Sequence, residues 1–154
     1  MVTPDNLQKI LIAVEDSSYS DQACDYGFRL AKKFNAEVAL VHVNEVLGMA
    51  APNITDPMMT DSMMMPQIIT IQEDACKKLF ERLSKNHEDT TLYTFTRIGN
   101  PRDEILNAAE EWCADMIILG THGRTGFDHF ISGSVAEDVV RKAKCPVLII
   151  PKGE

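Results

Sequence analysis

The densest chemistry in the chain lies in one stretch, Gly120-Thr121-His122-Gly123-Arg124-Thr125-Gly126, followed by Ser132-Gly133-Ser134. Glycine lets backbone approach a ligand closely and take φ > 0. Consecutive exposed N–H groups form a nest for an anion. A helix opening at Ser134 would add free N–H donors and a partial positive charge. Arg124 offers a planar fork of donors, and the Ser134 hydroxyl can donate to a phosphate oxygen or accept from its own helix. The chemistry on offer is phosphate binding through the main chain. Each residue also has a plainer use. Glycines after a strand make turns, Ser134 with Glu137 three residues later fits a capping box, and His122 and Arg124 can be solvated surface groups. The stretch is not a Walker A loop, which needs GxxxxGK[ST]. Nor is it the dinucleotide fingerprint, because its glycines follow the fourth apolar run and not the first.

The remaining candidates are sparse. Glu15 and Asp16 end the first apolar run, whereas Asp115 precedes the fourth and so falls at the opposite end. Phosphoryl transfer needs metal ligands, a charge clamp and a residue that orients the nucleophile. Only Glu15, Asp16, His122 and Arg124 are available, so no catalytic residue is assigned, and a metal set is left open. Cys24, Cys76, Cys113 and Cys145 form no CxxC pair, which gives a zinc or thioredoxin-like site little support. All four lie in or beside apolar segments and read as free thiols used for packing, as in a reducing cytosol. His42, inside the second run, reads as a hydrogen-bonded structural histidine. Trp112 shares a helical face with Ile105 and Ala109 and reads as core. His87 and His129 fall in polar stretches and carry no signal.

Five apolar runs must position this chemistry: Ile10–Val14, Val38–Val43, Leu92–Thr96, Met116–Leu119 and Val147–Ile150. The first, fourth and fifth are continuously apolar, as strands covered on both faces are. The third alternates with polar residues and suits an edge. Helical spacing fills the gaps, with starts signalled by Ser18 three before Asp21, Asn100 before Pro101, and Ser134 three before Glu137. Alternating strands and helices imply an α/β fold, a doubly wound parallel sheet of five strands with helices on both faces. The expected strand order is 3-2-1-4-5. Strands one and four then flank the switch point, where ligands sit at the carboxyl ends of such sheets. From Asn44 to Pro66 the pattern lapses into a long loop with five methionines, Met58, Met59, Met63, Met64 and Met65. It reads as an adaptable lid or partner surface, or as an excursion packed on its own domain.

The spacing Gly120-x2-Gly123-x9-Gly133-Ser134 resembles the nucleotide-binding motif of the universal stress protein family. Lys9-Ile-Leu-Ile-Ala-Val, Gly99-Asn-Pro and the tail from Gly133 through Cys145-Pro-Val-Leu-Ile-Ile are similar to that family as well, so the resemblance runs from Lys9 to Pro151. The intact glycines place the chain nearer the ATP-binding branch. That resemblance implies adenine contacts from Ala13, Val14 and Val43. It implies ribose and phosphate contacts from Leu119, Gly120, His122, Gly123, Arg124, Gly133, Ser134 and Val135. The family commonly has Asp directly after the first strand, where this chain has Glu15 and then Asp16. Either carboxylate can reach a ribose hydroxyl or a phosphate-bound cation, and the extra methylene of Glu15 alters the geometry. The implied cofactor is ATP, with Mg2+ as an optional companion. The implied role is a stress-response regulator that senses or signals through bound nucleotide. A slow ATPase or phosphotransferase, and a dimeric interaction module with a vestigial pocket, are the competing readings.

Size and charge narrow the classes further. A chain of 154 residues fits one domain, residues 1–154, and buries a core without staples. With 45% apolar and 25% charged residues it has an ordinary globular composition. A net charge of −8 argues against broad binding to nucleic acid or anionic lipid. No run approaches a membrane span, and the first residues lack the pattern of a secretory signal, so a cytoplasmic protein is expected. The fifth run is apolar yet falls at a sheet edge, which invites pairing with a second copy. The resemblance likewise implies a homodimer through Val147–Ile150.

Overall fold

The computed structural model describes residues 7–45, 64–121 and 134–151. The elements are β1 (Lys9–Ala13), α1 (Ser18–Phe34), β2 (Glu37–Asn44), α2 (Met64–Ser84), β3 (Leu92–Ile98), α3 (Pro101–Trp112), β4 (Met116–Gly120), α4 (Ser134–Lys142) and β5 (Val147–Ile150). All pairings are parallel, in the order β3-β2-β1-β4-β5, as the alternation of runs and helical patterns predicts. The register is Ile12 opposite Leu40 and Ile118, with Ile118 opposite Leu148.

Period-2 side-chain alternation splits the core into two layers. Ile10, Ile12, Val38, Leu40 and Ile118 join Phe28, Leu79 and Phe80 beneath α1 and α2. Leu11, Ala39, Val41, Ile117 and Leu119 join Ile105, Ala108 and Val139 beneath α3 and α4. Gly27 lets α1 sit close to the sheet. A Cβ there would overlap Ile12 Cδ1 and stand 3.3 Å from Ile118 Cδ1. Strand β3, at the edge, holds only half-buried and exposed residues, which alternate from Phe95 to Ile98.

Several boundaries move. The first strand ends at Ala13, although the Val14 N–H still donates to Val41 O at 2.9 Å. The cap of α1 is Ser17, one residue before the expected position, and its hydroxyl accepts from Ser20 N. Asn100 caps α3 as expected, accepting from Arg102 N at 3.1 Å with Pro101 next. The irregular segment is shorter at both ends than the sequence pattern predicts. Asn44 belongs to β2, and Met64, Met65 and Pro66 belong to α2. Residues 46–63, with Met58, Met59 and Met63, lie outside the described residues, as does His129. Among the described residues no helix is long and apolar enough to cross a membrane.

The cysteines divide. Cys24 and Cys76 are buried, and Cys145 is half-buried. Cys113 is not a packing residue. It is exposed at the end of α3, where its φ of 57° lies in the left-handed region. Burial, reinforced by Asp21, pushes the Cys24 thiol up to about 12. Alkylation under native conditions should therefore label Cys113 first, and Cys24 and Cys76 only on unfolding. Peptide mapping of the labelled chain checks this; rapid native labelling of Cys24 would contradict the packing of α1.

Candidate functional site

Every strand is parallel, so every carboxyl end, and the N-terminus of every following helix, lies at one end of the sheet. The switch point between β1 and β4 brings Ala13, Val14 and Glu15 beside Leu119, Gly120 and Thr121. Val43 lies two residues beyond Val41, the partner of Ala13, on the α3/α4 face of β2. Val14 and Leu119 are buried, and Ala13, Glu15, Val43 and Gly120 are half-buried.

Gly120 has a packing reason of its own. A Cβ on it would stand 3.1 Å from Tyr19 Cβ and 3.3 Å from Tyr19 O, so the glycine lets β4 pass the first turn of α1. The next residue stays on the sheet, with Thr121 N donating to Ile150 O at 3.0 Å.

The two carboxylates after β1 are held apart. Glu15 N donates to Ser20 Oγ at 2.8 Å, and its carboxylate accepts from Ser17 Oγ at 3.2 Å, which ties Glu15 to the start of α1. Asp16 instead meets Arg82 of α2 at 3.1 Å, and Arg82 also holds Asp21 at 2.6 Å. These carboxylates, Asp21 first, raise the proton affinity of the Arg82 guanidinium further. Of the two acids, Glu15 is therefore the one at the switch point. Asp115 is at the far end, as expected, where its carboxylate accepts from Gln8 N and Lys9 N at 2.9 Å.

On the α3/α4 side of this end lies a cavity of about 520 Å³, lined by Glu45, Gly99, Asn100, Pro101, Arg102, Val135 and Asp138. Its volume falls in the range of small-molecule sites, roughly 300–1,000 Å³. Arg102 bridges the helices that wall it, meeting Asp103 at 2.8 Å and Asp138 at 3.3 Å. Its hydrogen bond to Asp103 holds that carboxyl below the usual carboxylate range. Of the sequence-derived candidates among the described residues, only Val135 lines the cavity. Glu45, Arg102 and Asp138 were missed, although the Asn100-Pro101 start signal already put the opening of α3 at this end of the sheet.

His122, Gly123, Arg124 and Gly133 lie outside the described residues, and Ser134 opens α4. The site is thus bounded on the described side by the ends of β1, β2 and β4 and by the first turns of α3 and α4. Its groups suit binding: main-chain donors and acceptors, the apolar Ala13, Val14, Val43 and Leu119, the tethered carboxylate of Glu15, and the charged Glu45, Arg102 and Asp138 of the cavity. Among the described residues no cluster of three or more His, Cys, Asp or Glu could hold a metal ion.

Residues 6–151 match the model of the universal stress protein family. Universal stress protein MJ0531 of Methanocaldococcus jannaschii is 30% identical over 145 residues, covering 94% of this chain and 82% of its own. The solved structure of MJ0577, from the same organism, superposes with a TM-score of 0.80 at 25% identity over 96% of this chain and 98% of that one. A universal stress protein from Archaeoglobus fulgidus, solved in complex with dAMP, superposes at 0.62 with 21% identity over 97% and 99% of the two chains.

Proposed function

The chain belongs to the universal stress protein family, and we propose that within it the protein is an ATP-binding regulator that signals through nucleotide occupancy. The observation that carries this reading is the cavity at the carboxyl end of the sheet, next to the first turn of α4. That turn closes the Gly120-x2-Gly123-x9-Gly133-Ser134 spacing. The dAMP complex of the A. fulgidus protein supports an adenine nucleotide as the ligand class. In this reading Ala13, Val14 and Val43 meet the base. Leu119, Gly120, His122, Gly123, Arg124, Gly133, Ser134 and Val135 meet ribose and phosphates. Glu15 is positioned to accept from a ribose hydroxyl or to face a phosphate-bound Mg2+. No catalytic residue is assigned, and a cytoplasmic setting suits the free thiols.

Mass identification of the small molecule retained through native purification tests the reading. ATP or ADP is the expected result. An empty site that also ignores added nucleotide would leave the interaction module, and phosphate release over many turnovers would favour the enzyme.

The edge at β5 supports a homodimer as part of the proposal. Pro146 O and Ile150 O accept from Ile117 N and Thr121 N, so the even-numbered main-chain groups of this strand face β4. By alternation those of Val147 and Ile149 face outward, where a second β5 could pair with them. Proline is tolerated on an edge where its missing N–H points outward. Ile149→Pro should therefore convert a sedimenting dimer to monomer while the fold persists. A wild-type chain that sediments as a monomer would refute the interface.

A further inference from the structure

We infer that Asp138, held by Arg102, is a specificity-determining residue that accepts from the 6-amino group of the base, so that the site prefers ATP to 6-oxo purine nucleotides. The inference rests on the nucleotide reading above and adds which end of the ligand the cavity takes.

The residue assigned to the base leads into the cavity. Glu45 follows the last residue of β2, two past Val43, so by strand alternation it continues the α3/α4 face on which Val43 lies, and it lines the cavity. On α4, Val135 and Asp138 are three residues apart, share one face of the helix and both line the cavity. Asp138 lies one turn further along α4 than Val135, away from the helix start assigned to phosphate.

The donors of the α3 wall are engaged. Gly99 N donates to Asn44 O at 3.1 Å, Pro101 has no N–H, and Arg102 N donates to the capping Asn100 Oδ1 at 3.1 Å. The Arg102 guanidinium places Nε and Nη2 on Asp103, at 2.8 and 3.1 Å, and Nη1 on Asp138 Oδ2 at 3.3 Å. Acceptors remain. Among the described residues, Asp138 Oδ1 and the Glu45 carboxylate have no hydrogen-bond partner. The carboxylates of Glu45 and Asp138 also outnumber the single Arg102 cation in the lining, so the cavity disfavours phosphates and suits the uncharged base.

A wall of this kind accepts a ligand edge that offers a donor. The 6-amino group of adenine gives an N–H to Asp138 Oδ1. The adjacent ring nitrogen N1 is an acceptor, and the Asn100 amide, its Oδ1 held in the cap, has Nδ2 to donate there. Hypoxanthine and guanine reverse both positions: O6 would face a carboxylate, and N1–H would face a donor. Arg102 fixes one oxygen of the half-buried Asp138, which leaves the other oxygen pre-positioned for the base. A polar group left facing the wrong partner discriminates more strongly than a lost apolar contact.

Calorimetric titrations with ATP and with inosine triphosphate, whose base carries a 6-oxo group, test the inference in the chain stripped of any retained small molecule. Wild type should bind ATP at least about tenfold more tightly. Asp138→Asn keeps the shape and an oxygen for Arg102 while turning an NH2 toward the base, which suits O6 and not the amino group. The ratio of ATP to inosine triphosphate affinity should fall at least about tenfold in that variant. A purely structural role for the Arg102–Asp138 pair would weaken both nucleotides alike and leave the ratio where it was. An unchanged ratio overturns the inference, and so does a wild type that binds the two nucleotides equally, a comparison that needs no variant; in both cases the nucleotide reading stands. A wild type that binds neither nucleotide refutes that reading and the inference with it.

Discussion

Gly133→Val should weaken ATP binding about tenfold to a hundredfold or more while leaving a folded chain. Gly133 directly precedes Ser134, the first residue of α4. If the N–H groups at that helix start face phosphates, a branched Cβ beside them pushes the ligand away. One or two charge-assisted hydrogen bonds are lost, at roughly 1.5–3 kcal/mol each. Ser134→Ala separates two uses of the neighbouring hydroxyl. A serine that only caps its helix costs about 1 kcal/mol of stability and leaves affinity alone. A serine that donates to phosphate weakens ATP more than adenosine. Thermal melts alongside calorimetric titrations of both variants distinguish these outcomes. A folded Gly133→Val that binds ATP as tightly as wild type would remove the phosphate-loop assignment.

Phe28→Ala should be the most damaging single truncation in the layer beneath α1 and α2. Phe28 is 1% exposed and heads the fully buried side chains by volume. It also stacks on His87, with ring centroids 4.2 Å apart and planes 4° from parallel. Truncating a buried phenylalanine costs about 3–5 kcal/mol through lost transfer energy and the cavity left behind. For a chain of this size that lowers Tm by roughly 6–20 °C. The expected loss is measured by thermal denaturation followed by circular dichroism. A fall of only a degree or two would mean that α1 and the segment after α2 are not packed as described.

The contrast between those residues shows what the sequence made legible. Strand order followed from the alternation of strands and helices, right-handed crossovers and the polar alternation that puts β3 at an edge, whereas β5 is apolar throughout and still lies at the other edge. The start of α3 was readable from its Asn100 cap, and the Ser134–Glu137 spacing pointed to a helix that begins at Ser134. Ser17 was missed by one residue because three serines, Ser17, Ser18 and Ser20, crowd the same turn, and the choice among them depends on where Glu15 leaves the sheet. His87 looked empty because its partner Phe28 is far away in sequence, and a stack between distant positions leaves no periodic trace. Cys113 looked packed because its neighbours are apolar, yet it is exposed at the left-handed end of α3.

At the candidate site, the glycine spacing pointed to the carboxyl end of the sheet, where the cavity also lies. The cavity walls stayed hidden, because Glu45, Arg102 and Asp138 come from three separate elements whose meeting is set by tertiary packing. The tether on Glu15 was equally invisible. Its interest as a ribose or cation partner is a matter of residue type, whereas its hold by Ser17 and Ser20 is a matter of the turn into α1.

The central claim, an adenine nucleotide at the switch point between β1 and β4, is tested most directly by calorimetric titration of ATP into the wild-type chain stripped of any retained small molecule. Saturable binding of one ATP per chain is expected, with adenosine binding more weakly because it lacks the phosphates. Absence of saturable heat with ATP, ADP or AMP across the accessible concentration range would contradict it.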